Sequence, residues 1–522
     1  MRNLKLEELS TEQKLGMLMC ARGISASKAE DLEFVLELIR NHGLGCVQIP
    51  YKESETVKRI QEAADYPIIM VTDMEMGFPL SKLPPVPMMT LSACNKPEYY
   101  RAFAKAVVRD AKAHGCNANW SPVVDVLSED GPARVYRTFS DDPERVSYAA
   151  EQISQVFAEY HFMSCGKHYP GDAAADTHML NVPAVNDMET MERVNFVPYR
   201  HLLKKGLLPS IMSGHTIHTV LDPDRPASLS KKVIDYIRNM GFDGVCFTDS
   251  FAMMSILQEY GEDKIPGLAI AAGNDIVLPN YRRSNRENYE YLKQCYYDGM
   301  FSEERLNEAA RRVLALQAYL GEEPKNAEPF TEEDEKTYYA IAKDCITAVT
   351  DPGVDAALDT ENTDRLFVIM TEVSRATEEL SQETITRTWY HPEKIADKIH
   401  EVFPEAEVIT ISDYATAKEN EAVLVASTRH KEVVFITYCD TRPYLGTDCL
   451  TRRAEYLINS LNFSGRLSAV VHFGNPFALK NLDHISRKIF GYMMPQSQEY
   501  AIEVLAGKIP AKGILPFKVE FK

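Results

Sequence analysis

Short apolar runs alternate with longer amphipathic ones over the first 320 or so residues. The runs Gly45–Ile49, Ile68–Thr72, Cys116–Trp120, Met163–His168, Ser210–Gly214, Gly244–Thr248 and Asp275–Leu278 have the length and apolar content of strands. Between them, patterns such as Glu30–Asn41, Tyr99–His114 and Lys231–Met240 have the helical period. Strand followed by helix, repeated in sequence, predicts parallel βα units, and their number favours a TIM-type (β/α)8 barrel over an open sheet. The largely apolar strands suit a sheet buried on both faces. After the helix Glu303–Tyr319, the stretch Gly321–Lys336 is rich in Glu, Pro and Lys and reads as a linker. From about Cys345 the alternation resumes, with strands near Leu366–Met370, Glu407–Ile411, Ala422–Ala426, Val433–Tyr438 and Ala469–Phe473. The expected division is a barrel domain over residues 1–320, a linker over 321–344 and a C-terminal α/β sandwich over 345–522.

Length supports two domains, because 522 residues exceed one ordinary core. Hydrophobic residues at 45% and charged residues at 25% fit a soluble globular enzyme. A net charge of −19 and a pI of about 5.3 repel nucleic acid and anionic membranes, so neither is expected as a partner. Charged residues interrupt the N-terminal stretch, and no run approaches the ~20 apolar residues of a membrane span, so a cytoplasmic chain is expected. The ten cysteines are scattered, several of them in strand-like runs (Cys46, Cys116, Cys165, Cys246), and read as buried reduced thiols. No phosphate-cradling glycine loop is present, and His168, His178, His215 and His218 lack the spacing of a standard metal site. Neither cofactor nor metal is expected.

In such a barrel, chemistry collects at the C-terminal ends of the strands. Asp73 and Glu75, Asp125, Lys167 with His168, His215 and Asp249 all fall at or just after strand candidates. In CGKHYPGDAAADTHML, Cys165–Leu180, a Lys-His pair leaves a strand and meets a Pro-Gly turn. Asp176 lies two residues before His178, where a carboxylate can orient an imidazole and raise its basicity. In GFDGVCFTDSFAM a buried-strand pattern delivers Asp249, which could be a nucleophile, a base, a metal ligand or the N-cap of a helix over Ser250–Gln258. Arg137 could clamp sugar hydroxyls or pair with Asp141 or Asp142. Asp73 could grip vicinal hydroxyls or serve a turn. Trp120 and Phe139 could stack on a sugar or fill the core.

Together these stretches resemble glycoside hydrolase family 3, in particular its β-N-acetylglucosaminidase branch. KHYPG…DTH is similar to that branch's Lys-His-Phe-Pro-Gly-His-Gly…Asp-Ser-His loop, and FTDSFAM to its nucleophile segment. LDPDRPASLS, NWSPVVDV, YRTFSDDPERV and AGNDIVLPN look like family blocks, as do VVHFGNPFALKNL and IPAKGILPFKV near the C-terminus. The resemblance spans nearly the whole chain in co-linear order. It implies a retaining β-glycosidase that releases terminal β-linked N-acetylglucosamine through a covalent glycosyl-Asp249, with His178 as acid/base and Asp176 as its partner. It also implies that Asp73, Arg137, Lys167, His168 and His215 hold the sugar, and that the substrate is a small oligosaccharide, glycoside or muropeptide. A monomer or homodimer is expected.

The chain departs from the branch in two places. The loop between Lys167 and Asp176 is two residues shorter, so that Asp172 follows Gly171 directly. Where the branch has Asp-Gln-Glu-Gly-Gly-Arg, this chain has Asp73-Met-Glu-Met-Gly-Phe. Competing readings are a phosphorylase, since a neutral imidazole tolerates incoming phosphate, a β-glucosidase or β-xylosidase of the same family, a non-catalytic sugar-binding protein, and an aldolase-type barrel using Lys167.

Overall fold

The computed structural model describes residues 2–522 except 129–131, 172–176, 181–182, 326, 360, 372–388, 440 and 442–448. The chain forms two compact units. One comprises residues 1–82, 100–131 and 142–334; the other comprises 83–99, 132–141 and 335–522. Among the described residues no helix is long and apolar enough to cross a membrane.

The first unit holds two four-stranded parallel sheets. One runs β1 (Cys20–Ala21), β2 (Cys46–Gln48), β3 (Ile69–Thr72) and β4 (Ala118–Asn119). The other runs β5 (Gly166–Tyr169), β6 (Ser210–Ser213), β7 (Val245–Ser250) and β8 (Ile276–Leu278). Single parallel bridges connect their edges, Met19 to Val277 on one side and Ala118 to Met163 on the other. The Val277 N–H donates to the Leu18 carbonyl at 2.9 Å, and the Asn119 N–H to Met163 at 3.0 Å. Edge strands carry unpaired backbone groups, and these bridges supply partners for some of them.

Every residue of β3, β5 and β6 is buried, which matches their apolar runs. Seven of these strands coincide with expected runs. β1 does not, because it is two residues long and follows directly on the helix Thr11–Met17, so its pattern merges with the helix. Asp249 therefore sits on the seventh strand.

The second unit contains a six-stranded sheet in the order β11-β10-β12-β13-β14-β9. Its strands are β9 (Thr347–Thr350), β10 (Arg365–Thr371), β11 (Glu407–Ser412), β12 (Glu432–Cys439), β13 (Leu467–Gly474) and β14 (Arg487–Phe490). All neighbours are parallel except β14 and β9. One expected strand is a helix: Ala422–Ala426 lies within Ala417–Ser427. The apolar run AVLVA is short enough for either period. A capping box decides it, with Thr416 Oγ1 accepting from the Glu419 N–H and Glu419 reaching back to the Thr416 N–H.

At the N-terminal end of β8 a carboxylate ties several elements together. Asp275 is fully buried and accepts from Arg238 at 2.6 Å, Arg305 at 2.5 Å and the Cys246 N–H at 2.9 Å. Arg312 approaches at 3.4 Å. Removing the charge from such a cluster strands the guanidiniums without their shared partner. Asp275→Asn is expected to lower unfolding free energy by about 3–5 kcal/mol in urea titrations.

Candidate active site

β7 runs two residues beyond its apolar core and delivers Asp249 near the C-terminal end of the sheet. The carboxylate is not a helix cap, because the next helix begins at Met254 behind Met253, with no side-chain cap. Asp249 Oδ1 instead accepts from the Ser250 N–H at 2.6 Å. Its other oxygen lies 3.9 Å from His168 Nε2. Burial alone would raise Asp249. The imidazoles of His168 and His215, the Ser250 amide and the His178 imidazole outweigh burial and hold the carboxyl well below the usual range. The shift favours the charged form of the carboxyl, the form that a nucleophile or a base requires.

β5 contributes Lys167 and His168. Asp125 accepts from the His168 N–H at 2.9 Å and from Nδ1–H at 2.8 Å. A carboxylate only accepts here, so Nδ1 carries the proton and Nε2 faces Asp249. Lys167 is buried and pairs with Asp73 at 2.8 Å and Glu75 at 2.6 Å, both just past β3. An ammonium held by two carboxylates is a poor amine nucleophile, which disfavours Schiff-base chemistry. The turn that follows needs glycine at 171, where φ is +148° and a Cβ would lie 2.3 Å from Asn195 Nδ2.

His215 follows β6 and engages protein atoms through both ring nitrogens. Nε2–H donates to the Ser250 carbonyl at 3.0 Å, and Nδ1 accepts from the Ser228 hydroxyl at 2.7 Å. Burial pushes His215 below its ordinary value, against the pull of Asp249 and the Ser250 carbonyl. The His178 carbonyl accepts from the Met254 N–H at 3.2 Å, which places His178 beside the Asp249 segment. Asp176 and Asp172 lie outside the described residues. Arg137 closes the 3-10 turn Pro132–Arg137 in the second compact unit. Trp120 and Phe139 are fully enclosed core residues, Trp120 packing edge-on against Phe247.

The structure thus gathers Asp73, Lys167, His168, His178, His215 and Asp249 at one end of the first unit. It adds partners to which sequence reasoning gave no role: Asp125, Glu75, Ser250, Ser228 and Arg22. Asp125 and Glu75 were visible as polar residues past strand candidates. Arg22 was hidden because β1 was. The arrangement suits nucleophilic attack by a carboxylate on an electrophilic carbon, with an imidazole near enough to feel its charge.

The model of the glycosyl hydrolase family 3 N-terminal domain matches residues 10–316. A β-N-acetylglucosaminidase/β-glucosidase of Cellulomonas fimi is 27% identical over 338 residues, covering 60% of this chain and 59% of that protein. A β-hexosaminidase of Tolumonas auensis is 28% identical over 235 residues, covering 43% of this chain and 70% of that protein. The chain therefore spans less than two thirds of the Cellulomonas relative. A family 3 β-N-acetylglucosaminidase structure from Paenibacillus sp. str. FPU-7 has a TM-score of 0.79 at 22% identity, covering 98% of this chain and 100% of that one. The β-glucoside phosphorylase BglX has a TM-score of 0.80 at 19% identity, covering 98% and 94%. At these identities the likeness to both structures concerns the fold.

One buried histidine yields a pH test. His218 is enclosed beyond β6, and burial pushes it down to about 4, against weaker pulls from Asp125 and the Gly171 backbone. Its unfolded value is about 6.5, so the unfolded chain takes up the proton first as pH falls. Stability is full above about 6.5 and declines as pH drops towards 4. Wild type is expected to lose about 3 kcal/mol more than His218→Gln between pH 7 and 4 in urea titrations.

Proposed function

The chain belongs to glycosyl hydrolase family 3, and from that premise we propose that it is a retaining β-glycosidase releasing terminal β-linked N-acetylglucosamine. One observation carries the reading: β7 delivers the Asp249 carboxylate with one oxygen on the Ser250 N–H at 2.6 Å and the other 3.9 Å from His168 Nε2. The curated relatives named as hexosaminidases and acetylglucosaminidases support the choice of sugar. In this reading the two parallel sheets, joined through their edge bridges, are the halves of one (β/α)8 barrel, and its C-terminal rim is the active site.

Asp249 attacks the anomeric carbon and forms a glycosyl ester. His178 protonates the leaving oxygen and then takes the proton from water, with Asp176 orienting it. His168, fixed by Asp125, and Lys167, fixed by Asp73 and Glu75, hold sugar hydroxyls, with Asp73 as a further acceptor. His215 backs the Ser250 peptide that aims Asp249. Small glycosides and muropeptides are the substrates, and the chain works in the cytoplasm.

The test is turnover of an aryl N-acetyl-β-glucosaminide beside the matching glucoside and xyloside, with proton NMR of the first-formed sugar. Retention of the β configuration and a preference for the N-acetyl sugar are expected. Asp249→Asn is expected to lower kcat/KM by about 10³-fold or more, and His178→Gln by about 10²–10⁴-fold. Inversion, or equal activity in Asp249→Asn, contradicts the reading. Sugar 1-phosphate formed on adding phosphate moves the chain to the phosphorylases.

A further inference from the structure

Three buried arginines stand among the described residues: Arg22, Arg312 and Arg365. Arg312 pairs with Asp243, Asp275 and Glu308, and Arg365 with Glu432. Arg22, only 8% exposed, has no carboxylate within 4.0 Å among the described residues. Its Nε donates to Gln48 at 2.8 Å, and its Nη1 to the Ser250 hydroxyl at 2.5 Å and the Pro279 carbonyl at 3.3 Å. All three acceptors are neutral, and Nη2 has no protein acceptor among the described residues. A buried cation without a counter-ion is costly, and this occurs in a chain with 76 acidic and 57 basic residues.

The surroundings repeat the pattern. Arg22 lies over the Tyr281 ring at 5.1 Å, and Arg282 over the same ring at 5.3 Å. Tyr281 is 42% exposed. Arg282 is exposed and donates to the Ala252 carbonyl at 2.7 Å; it too has no carboxylate partner among the described residues. The stack adjoins the nucleophile segment on both counts, through Ser250 and Ala252. The same segment holds the His178 carbonyl at Met254.

We propose that Arg22, Tyr281 and Arg282 form an anion-receiving subsite at the mouth beside Asp249, which selects substrates whose leaving group carries a carboxylate or phosphate. The guanidinium edge supplies directed donors, the second arginine adds charge, and the half-open tyrosine face packs against the group that carries the anion. The leaving-group assignment rests on the glycosidase reading; the anion site does not.

The test uses the full chain and two arms. The first compares kcat/KM for benzyl N-acetyl-β-glucosaminides bearing a 3-carboxylate or its methyl ester, a pair whose reacting bond is electronically insulated from the substituent. The second measures binding of benzoate and of inorganic phosphate, by saturation-transfer NMR for benzoate and calorimetry for phosphate, with no turnover required. Wild type is expected to prefer the carboxylate about tenfold at low salt, less at high salt, and to bind one or both free anions. Arg22→Gln and Arg282→Gln are expected to bring the ratio near one and to abolish anion binding. Benzoate binding alone marks a carboxylate site; stronger phosphate binding marks a phosphate site. Equal use of acid and ester by wild type, or a preference that survives in both variants, overturns the proposal. If no glycoside is turned over, the glycosidase reading fails, and the binding arm decides the anion site: binding lost in the variants supports it, and no binding to wild type overturns it. Should Arg22→Gln unfold, the exposed Arg282→Gln carries the comparison.

Discussion

The site depends on keeping one carboxylate charged in a place that burial disfavours. A lone carboxylate in such a place is pushed towards its protonated form. Asp249 avoids this because one oxygen meets the Ser250 amide and the group as a whole sits in the field of three imidazoles. Each partner is itself fixed. Asp125 sets the His168 tautomer, while His215 and Arg22 hold the Ser250 residue from its carbonyl and its hydroxyl. The geometry therefore comes from a chain of short hydrogen bonds spanning β1, β5, β6 and β7, and no single loop carries it.

The two ends of the first unit use charge differently. Around Asp275, at the start of β8, three arginines surround a fully buried acid. At the opposite end the ion pair of Lys167 stays open to its surroundings, because Asp73 is 54% exposed. A buried acid held by several arginines ties elements together, while an exposed carboxylate such as Asp73 faces its surroundings. This asymmetry is the usual one for parallel βα architectures, where the C-terminal rim carries function.

Much of this was legible in the sequence. Seven strand runs of the first unit, four of the five expected in the second, and the address of Asp249, Lys167 and His168 follow from periodicity and strand ends. What failed has physical causes. β1 is too short to show a period, and Arg22 went with it. Ala422–Ala426 is apolar enough for a strand, and only the Thr416–Glu419 capping box reveals the helix. Asp125 and Glu75 could be seen, but a supporting carboxylate looks like any other acid until its partner's position is known. The cap alternative for Asp249 turned on where the helix starts, and that is set by the extra length of β7.

The central claim is that Asp249 bonds covalently to the sugar. A fluorinated N-acetylglucosaminyl fluoride, which forms a glycosyl-enzyme faster than water releases it, tests this directly by intact-mass measurement and peptide mapping. The account predicts one added sugar per chain, located on Asp249 and absent from the Asp249→Asn variant. Labelling at another residue, or turnover without any trapped adduct, contradicts it.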